Sequence, residues 1–205
     1  MTAISAYELL QAARARAYTL PEGFGGFEAE LHLFQEGGWH QGRVQADGPR
    51  AVAVALPEPL RAWPERELAS MLAHRSPRPF EEGEGRYPMR VVQESPLGVA
   101  IALEDPLRSV LWVRDGRVVL VERNPEGVSF RIHVQSHLPA GERYLPHHFT
   151  VVYRRGEVLE AVENYTDTYT EVEGLWLPQG RAVLRQDREG LSYRAFRLAN
   201  HRLLP

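Results

Sequence analysis

The sequence predicts a mainly β protein of the α+β class. Its expected core is a large curled antiparallel sheet, an open or half β-barrel of about eleven strands, with two helices covering the concave side. Three observations carry this. From Met89 onward, runs of alternating polarity follow one another almost without interruption, each bounded by turn residues. Only two segments carry a helical period. No linker, low-complexity run or composition break divides the 205 residues, so the expectation is a single domain over 1–205. A meander of this length should curl, because strongly twisted open sheets rarely stay flat beyond ~10 strands.

The elements follow in chain order. Ser5-Ala-Tyr-Glu8 has the form of a capping box, and Tyr7, Leu9, Leu10, Ala13 and Ala17 then set an apolar stripe on one helical side. "PEGFGGF" ends that helix. The period becomes two where Phe27, Ala29, Leu31 and Leu33 alternate with Glu28, Glu30 and His32. "EGG" turns the chain into 39–46, and "DGPR" turns it into 51–56. A second helix is expected from Pro64 to His74, with Leu68, Met71 and Leu72 on one side. "RSPRPFEEGEGRYP" reads as a loop. Strands are then expected near 87–94, 97–104, 108–115, 117–124, 127–137, 147–155, 157–165, 166–173, 175–187 and 190–200. The two runs within 157–173 also fit one long bent strand. "RDGR" and "RRGE" read as tight hairpins and "NPEG" and "DREG" as slightly longer ones.

Composition excludes several functions. All basic residues are arginine, which suits a GC-rich genome or a thermophile. Without cysteine there is no disulfide, thiolate nucleophile or cysteine-ligated metal. A net charge of −3, with arginines spread evenly over the strands, gives no pull toward nucleic acid. The N-terminus lacks a signal-peptide pattern, so the expected location is cytoplasmic, or periplasmic only if the true start lies upstream. No window supplies the ~18 apolar residues of an integral membrane segment.

The densest polar stretch is "ENYTDTYTEVEGLWLP", 163–178. Read as a strand, it places Tyr165, Asp167, Tyr169 and Glu171 on one face. Acids four residues apart on a strand are ~13 Å apart, too far to share a metal or a proton. Asp167 is expected instead to pair across strands with Arg181 or Arg185, at the surface, where such pairs contribute little. His133 and His137 are likewise separated. A metal or hydrolytic site would need His137, His147 or His148 to meet across the loop "LPAGERYLP", with Glu142 or Asp167 as a further group. No spacing enforces that meeting, so the expectation is no metal, no cofactor and no catalytic residue. "GFGGF" lacks the context of a phosphate loop, and no GxSxG nucleophile turn occurs.

"YTLPEGFGGFEAEL", "HRSPRPFEEGEG" and "DTYTEVEGLWLP" resemble a bacterial family of unknown function known mainly from cyanobacteria and deinococcal-type thermophiles. The tail from Gly174-Leu-Trp-Leu-Pro178 to Asn200 looks like the end of the LolA-type lipoprotein-carrier fold. The resemblance implies an open barrel of about eleven strands, helices over its mouth and an apolar interior. It supplies no catalytic residue.

The expected function is therefore a non-catalytic binding or carrier module for a lipid, acyl chain or isoprenoid held between sheet and helices. Trp39, Leu72, Trp112, Phe130 and Ile132 are the expected lining, with Arg78 in the loop 78–85 meeting an acidic head group. The helix near 64–74 would act as a lid. Two other classes remain open on sequence: a hydrolase with a His/carboxylate site at the barrel mouth, and a structural partner-binding module with a filled barrel.

Overall fold

The computed structural model describes residues 5–49 and 51–205. Arg50 of the "DGPR" turn and the first four residues of the N-terminal stretch lie outside them. The protein is mainly β: one antiparallel sheet of twelve strands and two helices. After helix α1 (Ala6–Ala15) come β1 (Gly26–Gln35), β2 (Gly38–Asp47) and β3 (Ala51–Val54), then helix α2 (Ala62–Ala73). Two short 3-10 turns, Phe80–Glu82 and Glu84–Arg86, lead into β4 (Met89–Ser95), β5 (Gly98–Leu103), β6 (Val110–Arg114) and β7 (Arg117–Arg123). The long strands are β8 (Val128–Ala140), β9 (Arg143–Arg155), β10 (Val158–Val172), β11 (Leu175–Asp187) and β12 (Gly190–Leu203). Their order is β3-β2-β1-β12-β11-β10-β9-β8-β7-β6-β5-β4, and the sheet is not closed.

Two boundaries differ from the sequence reading, and one choice that it left open, over 157–173, is resolved. The expected loop "LPAGERYLP" is paired strand, because Gly141, at φ 62°, allows a two-residue turn that joins Ala140 directly to Arg143. The stretch 157–173 is one strand, β10, without a break at Thr166. Helix α2 starts two residues before Pro64, which still lies in the first turn, where no N–H is needed. The "RDGR" hairpin forms as expected, with positive φ at both Asp115 (53°) and Gly116 (68°).

Two compact units are interleaved along the chain. The first comprises Met1–Tyr18, Arg78–Asn164 and Arg185–Leu191. In it the Ser5–Glu8 capping box starts α1. Leu10 and Ala13 pack on Ile101, Leu103, Leu111, Val113 and Val118, one face of β5–β7. The loop 78–86 is tied to the same helix. Phe80 meets the Tyr7 ring edge-on at 5.1 Å, and Glu84 takes both arms of the Arg14 guanidinium at 2.6 Å. The opposite face of β5–β7 carries a smaller cluster of Ala100, Trp112 and Leu120.

The second unit comprises Thr19–Pro77, Tyr165–Leu184 and Ser192–Pro205. Period-two alternation in β1 turns Phe27, Ala29, Leu31 and Leu33 to one face, where Leu33 stands opposite Phe196 and Leu31 opposite Leu198. Helix α2 covers that face through buried Trp63, Leu68, Met71 and Leu72, with Trp63 edge-on to Phe196 at 5.8 Å. Gly26 closes the entry to β1. Its φ is 116°, and a Cβ there would lie 1.8 Å from the Ala46 carbonyl oxygen, so only glycine fits.

Candidate functional site

Strands β8 and β9 form a two-faced ribbon in the first unit. Their pairing sets Val134 opposite Phe149, Ile132 opposite Val151 and Phe130 opposite Tyr153. Ile132 also stands opposite Val121 of β7, whose side chain packs on the cluster under α1. The row therefore continues the face that α1 covers. The other face is polar: Gln135 donates to the Thr150 hydroxyl at 2.7 Å, and that hydroxyl donates to Asn164 at 2.8 Å.

Helix length explains why the apolar row is only partly covered. Ten residues of α-helix span about 15 Å, whereas thirteen residues of strand span about 43 Å. Helix α1 runs to the hairpin end of the ribbon: the Tyr144 hydroxyl donates to the Ala13 carbonyl at 3.2 Å, and Tyr144 N–H donates to the Arg16 carbonyl. From Phe130 to Val134 the row runs beyond it. Val121, Phe130, Ile132, Val134, Phe149 and Tyr153 are half-buried, and Val151 is buried.

A polar group closes one end of this row. The Tyr153 hydroxyl donates to Glu163 at 3.0 Å, Arg185 donates to the other Glu163 oxygen at 2.5 Å, and Arg185 also donates to Asp187 at 2.7 Å. Asp187 is held below the usual carboxylate range, first by the Arg185 hydrogen bond and then by the Glu189 N–H. The arrangement offers apolar surface that ends in fixed charge and a tyrosine hydroxyl.

Of the six expected ligand-binding residues, Phe130 and Ile132 lie together on this row. Trp112 does not join them: it stands opposite Leu120, which stands opposite His133, so it faces the other side of the sheet, and its indole N–H donates to Glu122 at 3.0 Å. In the second unit, Leu72 is buried in the α2 core. Trp39 is 61% exposed and stands opposite Phe34, on the face turned away from α2. Arg78 donates to the Glu82 carbonyl of its own loop. Alternation shows which residues share a strand face, but the register of neighbouring strands decides which faces meet.

The acid stretch holds a different device. Asp167 is wholly buried and accepts both arms of the Arg181 guanidinium at 2.7 and 2.6 Å, while the third Arg181 nitrogen donates to Glu67 of α2 at 2.9 Å. The pair expected at the surface is in the core, because α2 covers this face of β10 and β11. Tyr169 donates to Asp167 at 3.3 Å and accepts from Arg75, and burial raises its pKa, so the hydroxyl keeps its proton. Two acids and two arginines balance, as buried charge requires.

His147 and His148 meet, with ring centroids 3.8 Å apart. His137 meets the Tyr144 ring edge-on at 4.8 Å, and its Nε2 is buried without a hydrogen-bond partner among the described residues. Burial, then the nearby Arg117, lowers its pKa to about 4. Glu142 sits exposed in the hairpin turn. Among the described residues no group of three or more His, Asp or Glu side chains could hold a metal ion, and no helix is long and apolar enough to cross a membrane.

No curated protein matches the chain. The structure is similar to the crystal structure of a LolA superfamily protein from Nitrosomonas europaea, at 11% identity and TM-score 0.38, covering 99% of this chain and 95% of that one. It is also similar to a putative outer membrane lipoprotein-sorting protein domain from Vibrio parahaemolyticus, at 11% identity and TM-score 0.41, covering 96% and 91%. The model of the family described as "Protein of unknown function (DUF3386)" matches residues 1–204, and the chain belongs to that family.

Proposed function

We propose that the protein is a non-catalytic binding module for a ligand with an apolar chain, such as a lipid, an acyl chain or an isoprenoid. One observation carries the reading: the half-buried apolar row Phe130, Ile132, Val134, Phe149 and Tyr153 runs beyond the reach of α1 and ends at Glu163 and Arg185. Rows of cross-strand apolar pairs are ordinarily buried in a core or covered by a partner. A chain laid along Phe130 to Val134 would cover about 13 Å of strand. Its head would meet the Tyr153 hydroxyl and the ion pair, which orient a ligand without cleaving it.

The test is displacement of a fluorescent fatty acid by unlabelled lipids, read alongside native mass spectrometry. Ile132→Asp places a charge in the middle of the row and should weaken binding at least about tenfold, a penalty of about 1.4 kcal/mol or more. Trp112→Phe, on the opposite face, should leave binding unchanged. Absence of any bound or displaceable apolar ligand, or equal affinity in Ile132→Asp, overturns the reading.

A further inference from the structure

The face of the second unit turned away from α2 carries a second set of features that the apolar row does not use. Register places them in order along β2, β1 and β12. At the hairpin end, Phe34 is flanked by Trp39 at 5.4 Å and Tyr193 at 5.8 Å between ring centroids. Trp39 is 61% and Tyr193 49% exposed, a costly exposure for two aromatic rings. The next row is His32, opposite both Gln41 and Arg197. Beyond it a groove of about 750 Å³ opens, with Glu28, Glu30, Arg43, Gln45, Asn200 and Arg202 at its polar positions and Ala53 and Ala55 among its small ones. From Trp39 to Gln45 the strand covers about 20 Å.

A bulge shapes the groove. The β1–β12 register shifts between Glu28 and Glu30, and Asn200 takes a φ of 55° there. Asparagine tolerates that conformation, and a bulge re-aims the side chain it carries. The side chains of Glu30, Arg43 and Asn200 make no hydrogen bond or ion pair among the described residues, although Glu30 and Arg43 stand directly opposite each other. A carboxylate acceptor, a guanidinium donor and an amide that does both are thus presented together, unspent.

We infer that this face binds a neutral oligosaccharide. Its two carboxylates and two guanidiniums cancel, so the groove favours neither an anion nor a cation. That balance argues against a nucleic-acid strand, whose binding rests on neutralised phosphates, and against an anionic membrane surface. A peptide adding to the sheet would pair with the edge strand β3, but that strand has only four residues and its Val54 N–H is already taken by Glu65. A sugar chain matches what is present. Its C–H faces stack on aromatic rings, and its hydroxyls both donate to carboxylates and accept from arginine and amide nitrogens.

The full-length chain on a printed array of neutral glycans, with calorimetry of the hits, decides the matter. The expected result is binding to at least one neutral oligosaccharide, weakened about tenfold or more by Trp39→Ala and by Glu30→Gln. Both positions are exposed, so the variants should keep the parent's circular dichroism. Ile132→Asp should leave glycan binding intact, which separates this face from the apolar row. No neutral glycan bound, preference for a polyanionic oligosaccharide, or undiminished binding by Trp39→Ala would each overturn the inference.

Discussion

His137 shows how one side chain ties local packing to pH. It keeps an edge-on contact with Tyr144 while Tyr144 anchors the end of α1, and its pKa falls to about 4 from an ordinary 6.5 because burial, and then Arg117, oppose the imidazolium. The unfolded chain therefore binds a proton near pH 6.5 that the native state refuses until about pH 4. Stability from this group is whole above the unfolded value and is lost as pH falls through that window. His137→Leu should flatten the slope of unfolding free energy against pH between those limits, measured by urea titration. An unchanged slope would mean that the imidazole is not held neutral. The sequence placed His137 as a possible ligand beside a loop, and a buried role was not legible. Its surroundings arise from a hairpin and a helix far apart in sequence.

At the scale of elements, α2 is fixed to β10 and β11 by charge as well as by apolar burial. Arg181 bridges Asp167 on its neighbouring strand and Glu67 on the helix. Removing one partner strands a buried charge, so Asp167→Ala should cost about 3–5 kcal/mol in urea-monitored unfolding. The fourfold change Asp167→Leu, Glu67→Leu, Arg181→Met and Arg75→Met should cost far less, because no unpaired charge remains. If the single and fourfold variants were equally destabilised, packing volume would be the cause. The sequence offered Arg181 or Arg185 as the cross-strand partner of Asp167, and the partner is Arg181. It missed the burial, which depends on where α2 docks. The candidate row was partly legible in the same way. Phe130 and Ile132 were both read as lining, and treating "AGER" as a two-residue turn would have set Tyr153 opposite Phe130. The prolines in "LPAGERYLP" hid that turn, because proline in a strand ordinarily argues against the assignment.

The whole sheet has twelve strands in a row and two unpaired edges, β3 and β4, so solubility depends on what guards them. Strand β3 has only four residues, and its outward Val54 N–H is taken by Glu65 of α2 at 2.9 Å. Strand β4 is longer and uncapped, but its register shifts between Val91 and Gln93, leaving Val92 as the extra residue of a bulge. Arg90, Gln93 and Glu94 are exposed around two half-uncovered valines, Val91 at 41% and Val92 at 42%. Bulge and charge act together here: the bulge spoils the alternation an incoming strand would match, and the charges make an apolar pairing costly. Replacing Arg90, Gln93 and Glu94 together with valine removes the charge, raises the β propensity of the edge and leaves the native pairing with β5 in place. The variant should show a higher mass than the parent by light scattering at matched concentration, or lose soluble yield, while its far-ultraviolet circular dichroism stays β-type. A variant that matched the parent in mass and yield would show that the bulge alone protects the edge. Restoring regular alternation by deleting Val92 in that background should then bring on the association that the charges had not been needed to prevent.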